Sequence, residues 1–215
     1  MEHIFLQFLV ITIFLTVIFL HVAKKNSTAI ALYLGHRRSI DFDLFTSGRI
    51  KKQSIKRLID RHKCPVSDIL FEDSEQIHLV IHDVKLTFFS YPYRIDAPVD
   101  FDQIIHIPDL LTLAAMKAYA LGGRAKWKDY VDLYILLRDH FSLAQISEKS
   151  KDIFGAYYNE KLFREQLCYF QDVDYSEKVD FVVQPVSDEE IKQFLTEVAT
   201  TPFGHASPPL AGGPT

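Results

Sequence analysis

The sequence is poor in cysteine. Cys64 and Cys168 are its only two, and they lie far apart with no CxxC pair and no Cys/His cluster around either. A structural zinc site is therefore not expected. Nothing demands a disulfide, and two free thiols in a reducing compartment is the simplest reading. An excess of positive charge is also missing. The net charge of -4 over 215 residues argues against generic electrostatic binding to nucleic acid, while leaving room for a local basic patch. No internal repeat is evident, which sets aside solenoids and propellers. One stretch, Ile4 to Val22, lacks Asp, Glu, Lys and Arg altogether.

That stretch, IFLQFLVITIFLTVIFLHV, admits two readings. Nineteen residues at helical rise span roughly 28 Å, close to a bilayer core. Lys24 and Lys25 follow it one residue later and would keep the rest of the chain in the cytoplasm. A cleaved signal peptide fits less well, because the start carries Glu2 and no basic residue. The alternative is a buried strand or helix, since Ile, Val, Phe and Thr suit a pleated sheet.

With 48% hydrophobic and 24% charged residues, the remainder has the composition of a globular domain. Thr28–Leu34 reads as a short helix stopped at Gly35. Ser39–Phe45 (SIDFDLF) alternates polar and apolar and predicts a strand. Arg49–His62 predicts a helix with Ile50, Leu58 and Ile59 toward the core. Gln76–His82 and Val84–Ser90 predict a hairpin turning at His82-Asp83. Ile104–Ile107 is a candidate edge strand stopped by Pro108. Helices are expected from Asp109 to Leu121, over Lys126–His140, Leu143–Phe154 and Glu160–Phe170, and over Asp188–Thr200 behind a Ser187/Glu190 capping box. The tail after Thr201, rich in Pro, Gly and Ala, is expected to be disordered. The fold class is thus α+β: a small mixed sheet, then a helical C-terminal half.

Asp41 and Asp43 are the candidate metal-binding carboxylates, though an Asp-x-Asp alone is more often a solvated turn or strand edge. Residues i and i+2 of a strand share a face, and Phe42 between them would enter the core. Two carboxylates so placed can share Mg²⁺, a hard cation that prefers oxygen. Upstream, Ser27 and Thr28 offer hydroxyls and a helix N-terminus to a phosphate. His36, Arg37 and Arg38 could neutralise phosphate charge. Lys117 is the lone charge in the run Leu110–Leu121, so it either snorkels or faces a polar site. Asp129 and Asp132, three apart, share a helix face.

The stretch TAIALYLGHRRSIDFDLF, Thr28 to Phe45, resembles the first motif of the AbiEii/AbiGii toxin family of nucleotidyltransferases. KAYALGGRAKWKDYVDLYIL, Lys117 to Leu136, resembles that family's lysine segment and the acidic helix after it. The resemblance covers about residues 28 to 200. It implies metal-dependent transfer of a nucleotidyl group from an NTP to an acceptor, RNA among the candidates, with Mg²⁺ on Asp41 and Asp43. It further implies nucleotide contacts from Ser27, Thr28, Arg37 and Lys117, completion of the site by Asp129 or Asp132, and a cognate antitoxin as partner. The division it implies is an atypical apolar segment at 1–25, a nucleotidyltransferase-like core at 26–107, a helical part of the same domain at 108–200, and a tail at 201–215. A cytoplasmic location follows, or a cytoplasmic domain anchored through residues 4–22.

Two departures stand out. The family's diglycine is replaced by Asn26-Ser27, which impairs a loop that relies on the backbone freedom of glycine. Members of the wider superfamily often carry a third carboxylate on a strand after the paired aspartates, where DVKLTFF offers Thr87. The rival readings are a catalytically inactive remnant acting as a binding protein, and a membrane-anchored protein.

Overall fold

The computed structural model describes residues 23–24, 26–39, 41–101 and 105–202. The apolar run 4–22 and nearly all of the expected tail lie outside them. Among the described residues no helix is long and apolar enough to cross a membrane. The chain divides into two compact units, one holding Ser39–Asp109 with the residues up to Ala29, the other holding Ile30–Arg38 with everything from Leu110 on.

The first unit is built on a seven-stranded mixed sheet, ordered β3-β4-β5-β2-β1-β7-β6. The strands are β1 Ala23–Lys24, β2 Phe42–Thr46, β3 Val66–Glu72, β4 Gln76–Ile81, β5 Val84–Ser90, β6 Val99–Phe101 and β7 Ile105–Ile107. Helix α1 (Asn26–Leu34) starts almost directly after β1, and α2 (Lys52–Arg61) follows β2. Alternation in the central strands sends Phe42 and Leu44 of β2, Ile77, Leu79 and Ile81 of β4, and Leu86 and Phe88 of β5 into one core. Ile50, Ile55 and Ile59 also join that core.

The expected hairpin forms. β4 and β5 pair from Gln76↔Phe89 to Ile81↔Val84, leaving a two-residue turn. His82 and Asp83 both lie in the left-handed region, at φ 50° and 62°. Two such residues match the right-handed twist of the strands they join, but side chains pay for positive φ and Asn-Gly is favoured there. The double change His82→Asn with Asp83→Gly should therefore stabilise the protein by roughly 0.5–1 kcal/mol. For a chain of this size that corresponds to a rise of about 1–4 °C in Tm. A melting curve that stays put or moves down would count against this turn geometry.

Three expectations are corrected. α2 begins at Lys52 rather than Arg49, and the buried pair on it is Ile55 and Ile59, with Leu58 only half-buried. One helical turn separates 55 from 59, whereas 58 faces about 100° away from 59. β7 is not an edge, because it lies between β1 and β6. Pro108 ends β7 along its length and says nothing about its lateral neighbours. β3 and β6 were not expected at all. Every residue of β3 is exposed, so it carries no inward-facing alternation to read.

The second unit contains α3 Leu110–Leu121, α4 Trp127–Asp139, α5 Leu143–Phe154, α6 Glu160–Leu167 and α7 Asp188–Thr200. α3 packs on α4, α5 and α6, while α7 packs on α4 and α6. α1 stops at Gly35, whose φ of 61° suits a residue without a Cβ. The capping box predicted at Ser187 is only half made. Ser187 Oγ accepts from the Glu190 amide, but the Glu190 carboxylate accepts from the Tyr134 hydroxyl at 2.8 Å instead. The full box is at Ser142 and Gln145, ahead of α5.

Candidate active site

Two clusters hold the residues singled out above, one in each unit. The first lies on β2. With Phe42 and Leu44 in the core, the opposite side of the strand belongs to Asp43, and Asp41 precedes it by one strand period. Both aspartates are half-buried. Asp41 falls just outside the strand, and its position is set from α1. Thr28, buried in the first turn of that helix, donates its hydroxyl to the Asp41 carbonyl oxygen and meets Ser39 Oγ at 2.9 Å. Ser27 sits in the same first turn.

Register places three side chains in a row across this face. Asp43 pairs with Thr87 of β5, and Thr87 pairs with His78 of β4. Thr87, the position of interest for a third acid, is thus the direct neighbour of Asp43. His78 Nε2 lies 3.0 Å from Gln76 Oε1, and Gln76 Nε2 donates to Asp73 Oδ2 at 3.1 Å. Burial lowers the basicity of His78, and nearby Lys85 lowers it further. Asp43 and Asp73 pull weakly the other way.

Does this face fit a divalent cation? Mg²⁺ typically takes one or two carboxylates and completes its shell with water and substrate phosphate. Two partly exposed carboxylates one strand period apart meet that demand. Among the described residues no group of three or more His, Cys, Asp or Glu forms an all-protein cage, and Mg²⁺ requires none.

The second cluster is fully buried. On α4, Asp129 and Asp132 are both 0% exposed, as is Lys117 on α3. Lys117 Nζ donates to Asp129 Oδ1 at 2.6 Å and lies 2.9 Å from Asp132 Oδ2. Arg37, from the segment after α1, grips Asp132 with two bonds, Nε to Oδ1 at 2.7 Å and Nη2 to Oδ2 at 2.9 Å. His36 Nε2 adds a third partner to Oδ1 at 2.9 Å. Burial alone would raise the Asp132 carboxyl. The charges of Arg37 and Lys117, with the bonds from His36 and Arg37, instead hold it far below the usual carboxylate range. Burial opposes the charge on Arg37, and Asp132 more than offsets it. Backbone pairing anchors the segment further. Arg37 bridges Phe181, Arg38 N donates to Asp180 O, and Val182 N donates to His36 O.

The residues expected to act thus fall into distinct environments. Asp43 lies on the side of β2 opposite its core residues, and Asp41, just before the strand, is tied through its carbonyl to Thr28 in the first turn of α1. Arg37, Lys117, Asp129 and Asp132 form one buried network of two cations and two carboxylates. Sequence reasoning did not single out His78, Gln76 or Asp73. The half-buried positions of β4, alternating with Ile77, Leu79 and Ile81, were the available signal.

The sheet order, the paired aspartates and the appended helices define a protein with the nucleotidyltransferase fold. MenT4, a nucleotidyltransferase toxin from Mycobacterium tuberculosis H37Rv, has a similar structure, with a TM-score of 0.59 at 10% identity over 91% of this chain and 82% of that one. A putative nucleotidyltransferase from H. pylori is similar at a TM-score of 0.53 and 18% identity, over 89% of this chain and 90% of its own. The family model described as "Nucleotidyl transferase AbiEii toxin, Type IV TA system" matches residues 27–207. An uncharacterized protein of Aquifex aeolicus (strain VF5) is 30% identical over 178 residues, covering 79% of this chain and 82% of that relative. The chain belongs to the AbiEii nucleotidyltransferase toxin family.

Proposed function

We propose that the protein is a toxin of a toxin–antitoxin pair that transfers a nucleotidyl group from an NTP to a hydroxyl on RNA, with Mg²⁺ held by Asp41 and Asp43. The observation that carries this reading is Asp43 on the side of β2 opposite Phe42 and Leu44, with Asp41 two residues before it, in a chain of the AbiEii family. Asp41 and Asp43 would hold the cation, which would supply positive charge to offset that developing as the α-phosphorus is attacked. The chain's own residues supply position. Thr28 fixes the backbone that carries Asp41, and the first turn of α1 directs amide N–H groups, with Ser27 among them, at the triphosphate.

Arg37, Lys117, Asp129 and Asp132 enter this reading through their own network. The resemblance implies nucleotide contact for the two cations and a part in catalysis for the two acids. Their complete burial and mutual pairing support a positioning role: they pin the Gly35–Arg38 segment to α3 and α4. For RNA, the exposed side of α2 and its flanks is the candidate contact. Lys52 and Lys56 are paired with Glu72, while Arg49, Lys51, Arg57, Arg61 and Lys63 are exposed. Such residues suit a phosphate backbone. The family description implies a cognate antitoxin.

The test is to incubate the protein with each α-phosphate-labelled NTP, total RNA and Mg²⁺. Label is expected in RNA with at least one NTP, and chelation by EDTA should remove it. Absence of transfer with all four would sink the reading. One observation favours a second one, an inactive remnant: Asn26 and Ser27 occupy the first turn of α1 where the family carries glycines. Calorimetric titration with NTP and Mg²⁺ separates the two, since a remnant with a damaged loop should show no heat of binding.

A further inference from the structure

In any nucleotidyl transfer the attacking hydroxyl must lose its proton. On the proposed site's face, Asp41 and Asp43 would be engaged with a cation, and Thr87 beside them is not a base at neutral pH. Two strand spacings from Asp43, about 10 Å between Cα atoms, stands His78. Thr87 between them is buried and shorter than either neighbour, so a hydroxyl held between Asp43 and His78 would lie over it.

The hydrogen bonds around His78 fix which of its nitrogens is free. Asp73 as a carboxylate can only accept, so the Gln76 amide must turn its NH₂ toward Asp73. Its oxygen then faces the imidazole, 3.0 Å from Nε2, and this oxygen can only accept. Neutral His78 therefore carries its proton on Nε2, leaving the lone pair on Nδ1. Asp73 is itself held by the amides of Glu75 and Gln76, at 2.8 and 2.9 Å. The chain Asp73–Gln76–His78 thus orients an imidazole as a base would need. The charged groups facing the ring are Lys85 of β5, Asp43 of β2 and Asp73 at the start of β4. Burial and Lys85 disfavour the imidazolium, whereas the two carboxylates favour it.

We infer that His78 is the general base of the transferase, its Nδ1 taking the proton of the acceptor hydroxyl, with Gln76 and Asp73 as positioning residues. The inference rests on the transferase reading above. In the step, the acceptor oxygen forms a bond to the α-phosphorus and the bond from that phosphorus to the pyrophosphate oxygen breaks. The hydroxyl proton moves to Nδ1, giving an imidazolium that later releases it to water. Pyrophosphate leaves with the electron pair of the broken bond.

Two measurements test this on the full chain. In the first, ¹⁵N NMR of the wild type should show His78 as the Nε2–H tautomer, and Gln76→Ala should convert it to a mixture. A wild type already in the Nδ1–H form would overturn the inference without any assay of turnover. In the second, labelled NTP and total RNA are supplied to wild type, His78→Gln and His78→Ala. Removal of a general base typically costs about 100-fold or more in rate. The expected result is a loss of that size in both variants, partial rescue of His78→Ala by added imidazole, and disappearance of the acid limb of the pH–rate profile. Wild-type turnover matched by His78→Gln would overturn the base and leave the transferase standing. A loss that imidazole does not rescue, with the acid limb retained, would equally overturn it. No turnover in the wild type would overturn both readings.

Discussion

Asp132→Ala is expected to destabilise the protein by about 3–5 kcal/mol, the cost typical of removing one partner of a buried ion pair. Asp132 accepts from both nitrogens of the Arg37 fork and from His36, and it shares Lys117 with Asp129. All of these groups are buried. Without the carboxylate, a guanidinium stays in the interior with its strongest partner gone. A domain of ordinary stability holds only about 5–15 kcal/mol in total, so the loss should be visible as a large drop in the denaturant midpoint. Pairing Asp132→Leu with Arg37→Met should recover part of it, because two apolar side chains leave no unpaired charge. A midpoint unchanged in Asp132→Ala would show that the network contributes nothing.

The same residue makes stability depend on acid. In the folded protein the Asp132 carboxyl is held far below its ordinary range by Arg37 and Lys117, against the upward pull of burial. In the unfolded chain it titrates near its reference value of about 3.9. Below that value the unfolded state binds a proton that the native state does not. The contribution is therefore fully present above about pH 4 and drains away as pH falls toward the folded value. Denaturation of the wild type from about pH 5 to pH 2 should show this slope, and Asp132→Ala should show less of it.

Local rules were legible in the sequence wherever two signals agreed. His82-Asp83 between alternating runs fixed a hairpin, because turn residues and strand period pointed to the same register. α7 was legible from its Ser187 start with Glu190 three positions later. β3 was not legible. It pairs along one edge only, and its apolar residues Ile69, Leu70 and Phe71 stay exposed, so no inward period exists to detect. The candidate site divides in the same manner. Spacing alone placed Phe42 in the core and Asp43 on the other side of β2. Burial of Asp129 and Asp132 was hidden, because each looks locally like a charge on a solvated helix, while the apolar run around Lys117 left it between snorkelling and facing a polar site. The Asp132 partner Arg37 lies 95 residues away in sequence, and no local pattern encodes a contact of that range. His78 was equally hidden, since its pairing through Thr87 to Asp43 exists only once three strands are in register.

Asp43→Asn should abolish nucleotidyl transfer and leave the fold intact. The amide keeps the size of the carboxylate and loses its charge, and a hard cation depends on that charge. The side chain lies opposite Phe42 and Leu44 and is half-buried, so the core does not register the change. Melting without divalent cation should thus be unchanged. With Mg²⁺, the wild type should gain stability in proportion to the cation it binds, and the variant should gain much less. Turnover should fall by at least about 1000-fold, a barrier increase of roughly 4 kcal/mol. Such a loss is reasonable for a group that both holds the cation and orients the phosphate. Equal labelling of RNA by wild type and variant would remove Asp43 from the site. A variant that no longer melts cooperatively would make Asp43 a structural residue of β2 instead.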